Sequence, residues 1–469
     1  MSSTAPTTDI PEKRSQEDIE ISNVNTDSQP QTTSPTATGS ETEPTGKRQK
    51  TSKDRKEHFK NNRTWKAQDW SSGGKKPVRD GPPPERKPKK KAAVLVGFCG
   101  TGYQGMQINP TAKSIESELF KAFCKAGAIS EDNSDDPKKV SFMRAARTDK
   151  GVHAAGNVVS LKFIGEDPDV VSKINTYLPD QIRVWGYVTT MRNFHAKNAC
   201  DSRVYEYLLP SYTLMQKKPI DPAHFENEAD ASFVELPPSS PEEMAEKRAY
   251  RIPDEKMQQV RDILKEFEGT HNFHNYTIGR FFKEQASNRY IMSFKVGEPQ
   301  YVNDTEWLSL KIHGQSFMLH QIRKMVGMLI LMVRSATPTS LISKTFGPDK
   351  LNIPKAPALG LLLERPIFTQ YNTRIAALEQ SREPVDFDKY EVEIQDFKSK
   401  FIYSKIHEDE VNESIFDGWL RLIDGYRGPA YGYLNSEGTI PEDAIVSKGQ
   451  NRMMDNEDIE DATADDREG

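Results

Sequence analysis

The stretch Ala92-Ala-Val-Leu-Val-Gly-Phe-Cys99 decides the fold, because it opens the ordered part of the chain after a long polar segment. A short apolar run that ends at glycines predicts a buried strand. Ile115, Leu119 and Phe123 then recur at a spacing of four, which predicts an amphipathic helix ending near Gly127. Because strand-like segments outnumber helical ones further on, the sequence predicts an α+β fold.

The rest of the chain divides by composition. Strand patterns occupy residues 157–163, 182–188, 203–209 and 307–312, whereas residues 317–333 are apolar nearly all round and predict a central buried helix. The proline-rich residues 237–243 are expected to continue neither a strand nor a helix. We therefore expect these segments: a disordered basic arm (1–91), an N-terminal catalytic subdomain (92–210), an insertion (211–250), a C-terminal catalytic subdomain (251–370), a helical extension (371–440) and a disordered acidic tail (441–469).

The charge of the chain is strongly segregated although its net value is only −5 over 469 residues. Residues 46–91 hold 17 basic and 5 acidic side chains, a net charge of +12, whereas residues 441–469 hold 3 and 10, a net charge of −7. Basic clusters at residues 47–56 and 86–91 predict a nuclear localisation signal or an RNA-attracting arm, and a solubilising linker is the alternative. An RNA surface on the weakly acidic remainder has to be a local patch.

Several classes of protein are disfavoured. No apolar run reaches the ~18 residues of a membrane span, and the N-terminus lacks the apolar core of a signal peptide. The three cysteines lie far apart and form no C-x-x-C pair, which argues against disulfides and zinc fingers. The segment 100–105 fits G-x-G-x-x-G, but Pro110 precludes the helix that a dinucleotide site requires.

The segment Arg147-Thr-Asp-Lys-Gly-Val-His-Ala154 carries the most informative chemistry. Asp149 lies between a guanidinium and an ammonium group, and such neighbours lower the pKa of a carboxyl group and keep it ionised. An ionised aspartate is available as a nucleophile or as a base. The basic neighbours also suit a polyanionic substrate.

This octapeptide resembles the R-T-D-x-G-V-H-A motif of the TruA-type pseudouridine synthases. Four further segments resemble family motifs in the same order, so that the likeness covers about residues 92–370. They are the glycine turn 100–107, the strand 202–207, the segment 314–327 and the closing strand 356–363. The resemblance implies two related α/β subdomains that share a central mixed or antiparallel sheet, with a basic cleft between them.

The resemblance also implies roles for single residues. Asp149 would be the catalytic residue, attacking the uracil ring or the ribose C1′, or removing a ribose proton, and the sequence leaves these three routes open. Each route requires the uridine to leave the base stack. The other residues assigned to the substrate site are Arg147, which would pair with the aspartate; Tyr205, which would stack on the base; Arg323, a basic partner of the carboxylate; Leu361 and Leu363, pocket walls or core residues; and Tyr103 and Gln107, in the segment expected to line the RNA cleft.

The family uses no cofactor, and no metal site is predicted here. His271 and His274, with His313 and His320 further on, leave a structural zinc ion as an open alternative. The implied substrates are tRNA and pre-tRNA, with U2 small nuclear RNA and mRNA as further candidates. We also expect a nuclear monomer that engages the import machinery and no membrane. The alternatives are an inactive RNA-binding or chaperone protein and a paralogous synthase with other target uridines.

Overall fold

A computed structural model describes residues 87–109, 111–218, 233–378 and 382–446. Within these residues, ten strands form one mixed sheet, and this confirms the α+β class. The strands are β1 (Lys90–Phe98), β2 (Met143–Arg144), β3 (His153–Phe163), β4 (Ile182–Thr189), β5 (Ser202–Pro210), β6 (Gly269–Asn272), β7 (Asn288–Val296), β8 (Gln300–Val302), β9 (Thr305–Gly314) and β10 (Leu361–Ile367).

The order of strands brings the two halves of the chain together in the middle of the sheet. It runs β4-β1-β3-β10-β5-β9-β7-β6, with β2 paired to β3 and β8 paired to β9. The last strand, β10, is parallel to β3, where Leu362 pairs with His153, and antiparallel to β5, where Leu363 pairs with Tyr205. The loop that precedes β3 and the face of β5 therefore meet at the centre of the sheet.

Helices cover both faces of the sheet. In chain order they are α1 (Ile115–Lys125), α2 (Val170–Tyr177), α3 (Ala196–Ala199), α4 (Pro241–Ala249), α5 (Asp254–Glu266), α6 (Gln321–Arg334), α7 (Leu341–Thr345), α8 (Thr369–Ala377), α9 (Glu391–Phe397), α10 (Ser404–Glu413) and α11 (Ile415–Asp424). A π-helical segment, Lys398–Tyr403, joins α9 to α10.

Two apolar clusters hold this arrangement together. Leu119 and Phe123 of α1 pack on the strands of the N-terminal half, and Met325 and Leu329 of α6 pack on those of the C-terminal half. Full burial of each such side chain stabilises the fold by ~1.5–3 kcal/mol. Neighbouring residues of β1 belong to different clusters, Val94 to the first and Leu95 to the second, so the clusters lie on opposite faces of that strand, and Tyr205 of β5 packs against both.

The C-terminal helices pack against the sheet through a buried cluster of charges. The ammonium group of Lys398 lies 3.1 Å from a carboxylate oxygen of Glu206 in β5 and 2.7 Å from one of Glu364 in β10. Tyr403 donates a hydrogen bond of 2.7 Å to Glu206. The predicted helical region after residue 385 is thus tied to the two strands beside the centre of the sheet.

Three boundaries differ from the sequence-based expectations. Strand β1 begins at Lys90 rather than Ala92, because Lys90 and Lys91 continue the ladder with β3. The buried helix begins at Gln321 rather than residue 317, because His320 has a φ of 59° that a helix does not admit. Residues 237–240 continue no strand or helix, as expected, but a new helix begins at Pro241, because proline fits the first helical turn and Ser240 caps it.

The two tails lie almost entirely outside the described residues. The basic cluster at 47–56 precedes the described residues, and most of the acidic segment 441–469 follows them. Across the described ranges, we find no helix with both the length and the apolar character that a bilayer span requires.

Candidate active site

An open cavity of about 620 Å³ lies where β3, β10 and β5 meet. Its walls come from the loop between β2 and β3, from the segment around α3, from β5 and from the residues that lead into α6. Cationic side chains dominate the polar lining, with Asp149 as the acidic group among the residues that line it. The lining residues include Arg144, Arg147, Asp149, Lys197, Arg203, Tyr205, Phe317, Leu319, His320, Arg323 and Leu361.

The position of Asp149 is fixed by the glycine turn that follows β1. Met106 donates a backbone hydrogen bond of 3.1 Å to Thr148, and Gly151 donates one of 3.3 Å to Tyr103. Gly105 has a φ of 97°, and a Cβ atom there would lie 2.6 Å from the carbonyl oxygen of Thr148. Only glycine fits this close approach. The turn therefore supports, through its backbone, the loop between β2 and β3 that carries Asp149, which we call the aspartate loop.

The surroundings of Asp149 favour its ionised form. Burial acts to raise the pKa of this carboxyl group, although 35% of the side chain stays accessible through the mouth of the cavity. The His320 side chain, whose Nδ1 lies 3.4 Å from Oδ2 of Asp149, acts in the opposite direction. Together with the positive charges of Arg323 and Lys355 it outweighs burial, so the pKa of Asp149 lies below its ordinary value.

Tyr205 faces the same cavity from β5. Its ring meets that of Phe317 edge-on, with 5.2 Å between the ring centres, and this geometry is favourable for aromatic pairs. Burial raises the pKa of Tyr205 well above its ordinary value, so the hydroxyl keeps its proton at neutral pH. Tyr205 therefore contributes an aromatic ring and a protonated hydroxyl to the cavity lining.

Three arginines surround these two residues. Arg203 donates hydrogen bonds of 3.1 Å to Ala145 and 2.9 Å to Gln315, and so joins the two walls of the cavity. Arg323 donates one of 2.7 Å to the carbonyl oxygen of Ala356. Arg147 lines the cavity two residues before Asp149. The structure thus brings together Asp149, Arg147, Tyr205 and Arg323, while their individual roles stay predictions.

Of the remaining predicted site residues, one lines the cavity and three lie outside its lining. Leu361 lines the cavity. Leu363 is fully buried in the N-terminal apolar cluster, because it lies two residues further along β10, so the structure favours the core role that the sequence had left open. Tyr103 is also buried there, and neither it nor Gln107 belongs to the cavity lining. The Tyr103 carbonyl oxygen accepts the hydrogen bond from Gly151 and so supports the loop that carries Asp149, while the role of Gln107 stays a prediction.

His320 is the site residue that sequence reasoning missed, since it was considered only as a zinc ligand. Its backbone adopts the left-handed region at the start of α6, which is uncommon for a residue other than glycine and clusters at functional sites. Its side chain is buried against Asp149. The signal in the sequence was its place three residues before Arg323, at the start of an apolar helix.

His271 and His313 contact aromatic and polar groups of the fold and lie outside the cavity lining. His271 stacks on Phe346 with 4.2 Å between ring centres, and its Nε2 lies 2.7 Å from the carbonyl oxygen of Glu268. The ring of His313 lies 2.8 Å from the Ser202 hydroxyl. In the portion of the chain that the structure describes, no three histidine, cysteine or acidic side chains converge as metal ligands would.

Comparison with known proteins identifies the family. A family model described as tRNA pseudouridine synthase matches residues 263–369. The chain is also 43% identical over 415 residues to tRNA pseudouridine synthase 1 of Yarrowia lipolytica, a match that covers 76% of this chain and 78% of that protein. The chain belongs to the tRNA pseudouridine synthase family. It is therefore an isomerase.

Further relatives extend this result. The synthase is 43% identical over 400 residues to tRNA pseudouridine synthase 1 of Saccharomyces cerevisiae, with 74% of this chain and 73% of that protein covered. It is 37% identical over 375 residues to the pseudouridylate synthase 1 homolog of Mus musculus, with 79% and 82% covered. These matches confirm the family resemblance that the sequence motifs had indicated.

Proposed function

We propose that this synthase converts specific uridines of tRNA and pre-tRNA to pseudouridine, with Asp149 as its catalytic carboxylate. In this reaction the N1–C1′ glycosidic bond breaks, C5 forms the new bond to C1′, and the proton lost from C5 is balanced by one gained at N1. The observation that supports this proposal most directly is the ionised carboxylate in a cavity lined by cations. The lowered pKa keeps Asp149 negatively charged at neutral pH, ready for attack on the base or the sugar.

The side chains around Asp149 supply the rest of the chemistry. Tyr205 and Phe317 present an aromatic wall against which an unstacked uracil can lie. The protonated Tyr205 hydroxyl is the candidate for proton transfer to or from the base. Arg323 balances the charge of the carboxylate. Arg147 lines the same cavity, and the cations Lys197 and Arg203 on the cavity wall suit the phosphates next to the target nucleotide.

The test is Asp149→Asn, an isosteric change. We expect pseudouridine formation to be abolished while tRNA affinity and the unfolding transition stay close to those of the native synthase. Tritium released from tRNA labelled at C5 of uridine measures the reaction directly. Turnover within tenfold of the native rate corresponds to only ~1.4 kcal/mol of barrier, too little for a catalytic group, and would reject this role.

The same assay separates the two alternative functions. An inactive RNA-binding or chaperone protein would bind tRNA and release no tritium with either variant. A paralogous synthase would have other target uridines, and mapping of pseudouridine in total RNA with and without the protein would identify them. Such mapping also tests the further candidate substrates, U2 small nuclear RNA and mRNA.

We propose that the reaction needs no cofactor and no metal. The histidines that left zinc open lie in separate structural settings, His271 on Phe346 and His313 on Ser202. Activity should therefore persist in chelator when the tRNA is kept folded. Loss of turnover that zinc restores, with the tRNA structure unchanged, would contradict this proposal.

We further propose that the synthase acts in the nucleus as a monomer and is delivered by the import machinery. Of the two basic clusters, part of the second belongs to the fold: Lys91 pairs in β1, and Lys89 donates a hydrogen bond of 2.7 Å to Ser130. The cluster at 47–56 is therefore the better candidate for an import signal. Neutralising its lysines and arginines should reduce nuclear accumulation of a fluorescent fusion, and sedimentation should give the mass of one chain.

A further inference from the structure

The loop between β6 and β7 exposes two adjacent aromatic side chains. Phe281 is 63% exposed and Phe282 is 40% exposed. Burying large apolar groups is favourable, so neighbouring aromatic rings left in water usually mark a surface that binds something. No step of the proposed reaction uses these rings.

The backbone of this loop is held firmly although its aromatic side chains are exposed. The amide of Phe281 donates a hydrogen bond of 2.9 Å to Glu284, and the Ser287 hydroxyl donates one of 3.1 Å to the Phe281 carbonyl oxygen. Asn272 donates one of 2.7 Å to the carbonyl oxygen of Phe282. The rings are therefore presented from an ordered support, which lowers the entropy lost when a partner binds.

The loop is continuous with the wall of the active-site cavity. The Thr277 hydroxyl donates a hydrogen bond of 2.9 Å to the carbonyl oxygen of Leu319, which lines the cavity. Phe281 follows Thr277 by four residues, and four residues span at most ~14 Å. The aromatic pair therefore lies within reach of a strand whose target nucleotide occupies the cavity.

The charge of the loop suits a polyanion. Arg280 and Lys283 lie in the loop, Arg289 follows at the start of β7, and Glu284 is the one acidic residue between positions 277 and 289, so the net charge of this segment is three minus one, or +2. Glu284 pairs with Arg280 at 2.9 Å and at the same time holds the loop backbone. Aromatic rings next to cations bind single-stranded nucleic acid by stacking on bases and attracting phosphates.

We propose that Phe281 and Phe282 form a docking site for tRNA bases that flank the target uridine. The two rings stack on unpaired bases, and Lys283 and Arg280 attract the adjoining phosphates. The site holds the substrate strand in register while the uridine occupies the cavity beside Asp149. This inference rests on the proposed function and adds a recognition surface outside the cavity.

The experiment compares F281A/F282A with Tyr301→Ala in the full chain, using an unmodified tRNA transcript as the probe. Tyr301 is a matched control because it is an aromatic residue that is 64% exposed. It pairs with Glu306 at the beginning of β9, whereas the cavity wall follows the other end of that strand, at Gly314. The loss of two stacked bases should raise the Kd of F281A/F282A for tRNA at least about thirtyfold. Its single-turnover rate with saturating enzyme should stay within about twofold of the native rate, and Tyr301→Ala should match the native synthase in both.

Two further variants make the result specific to stacking. F281Y/F282Y should restore native affinity because tyrosine stacks as phenylalanine does, whereas F281L/F282L should not. Native tRNA affinity in F281A/F282A, or full rescue by leucine, would overturn the proposal. Normal tRNA binding with loss of a protein partner would assign the surface to protein docking instead. Failure of the proposed function would differ, because the native synthase itself would then bind tRNA without releasing tritium.

Discussion

Replacing Lys398 with methionine tests how the C-terminal helices are fixed to the sheet. The side chain of Lys398 is 2% exposed, and its ammonium group contacts Glu206 and Glu364 at 3.1 and 2.7 Å. Methionine keeps the apolar stem but leaves two carboxylates buried without their cation. Removing one partner of a buried ion pair costs about 3–5 kcal/mol, and we expect a loss of that size in the free energy of unfolding at pH 8.

The pH dependence provides a second signature. Burial acts to raise the pKa of Glu206, but the charge of Lys398, with the hydrogen bonds from Ser309 and Tyr403, outweighs it, so the pKa lies below its ordinary value. The resulting stability is present above the pKa of about 4.3 of the unfolded chain and is lost as pH falls through the folded value. Without Lys398 the largest effect that opposes burial is lost, so the pKa of Glu206 rises and the variant loses stability as pH rises from 5 to 8.

Urea unfolding at pH 5 and pH 8 measures both effects. Tryptophan fluorescence reports on this region, because Trp185 contacts Phe397 of α9 with 5.3 Å between ring centres, and circular dichroism should give the same transition. The control is Lys405→Met, which removes a more exposed pair with Asp409 and should cost less than about 1 kcal/mol. A loss below about 1 kcal/mol for Lys398→Met at pH 8, or equal losses at both pH values, would refute this reasoning.

Three other predictions concern the site and its surroundings. Tyr205→Phe should retain tRNA affinity but slow the single-turnover rate, whereas Tyr205→Ala should also lose ~1–3 kcal/mol of stacking; equal rates and affinities for the two variants would exclude stacking. His320→Asn, which tolerates the left-handed backbone, should raise the pKa of Asp149 and move the acid limb of the kcat/KM profile to higher pH; an unchanged limb would mean that His320 does not act on the carboxylate. Burial raises the pKa of Glu410 to about 7, so the folded chain keeps a proton that the unfolded chain releases. Stability should therefore fall as pH rises from about 4.5 to 7. Glu410→Gln should flatten this slope, as measured by thermal unfolding at several pH values.

Much of the fold was readable because periodicity reports which face of an element is buried. The apolar run after residue 91 and the spacing of Ile115, Leu119 and Phe123 led to β1 and α1. The start of α6 was misplaced because residues 317–319 are as apolar as the helix itself. Their side chains line a cavity rather than a helix face, and periodicity does not distinguish these two forms of burial.

The sequence by itself determined the family and the aspartate loop, because the residues Arg147 to Ala154 are contiguous and their chemistry is local. Only the tertiary structure decided that β10 lies between β3 and β5, which brings Leu361 to the cavity and buries Leu363. It alone placed His320 against Asp149, although the two residues are 171 positions apart in the chain. Such contacts depend on strand order and backbone conformation, which no local pattern of side chains encodes.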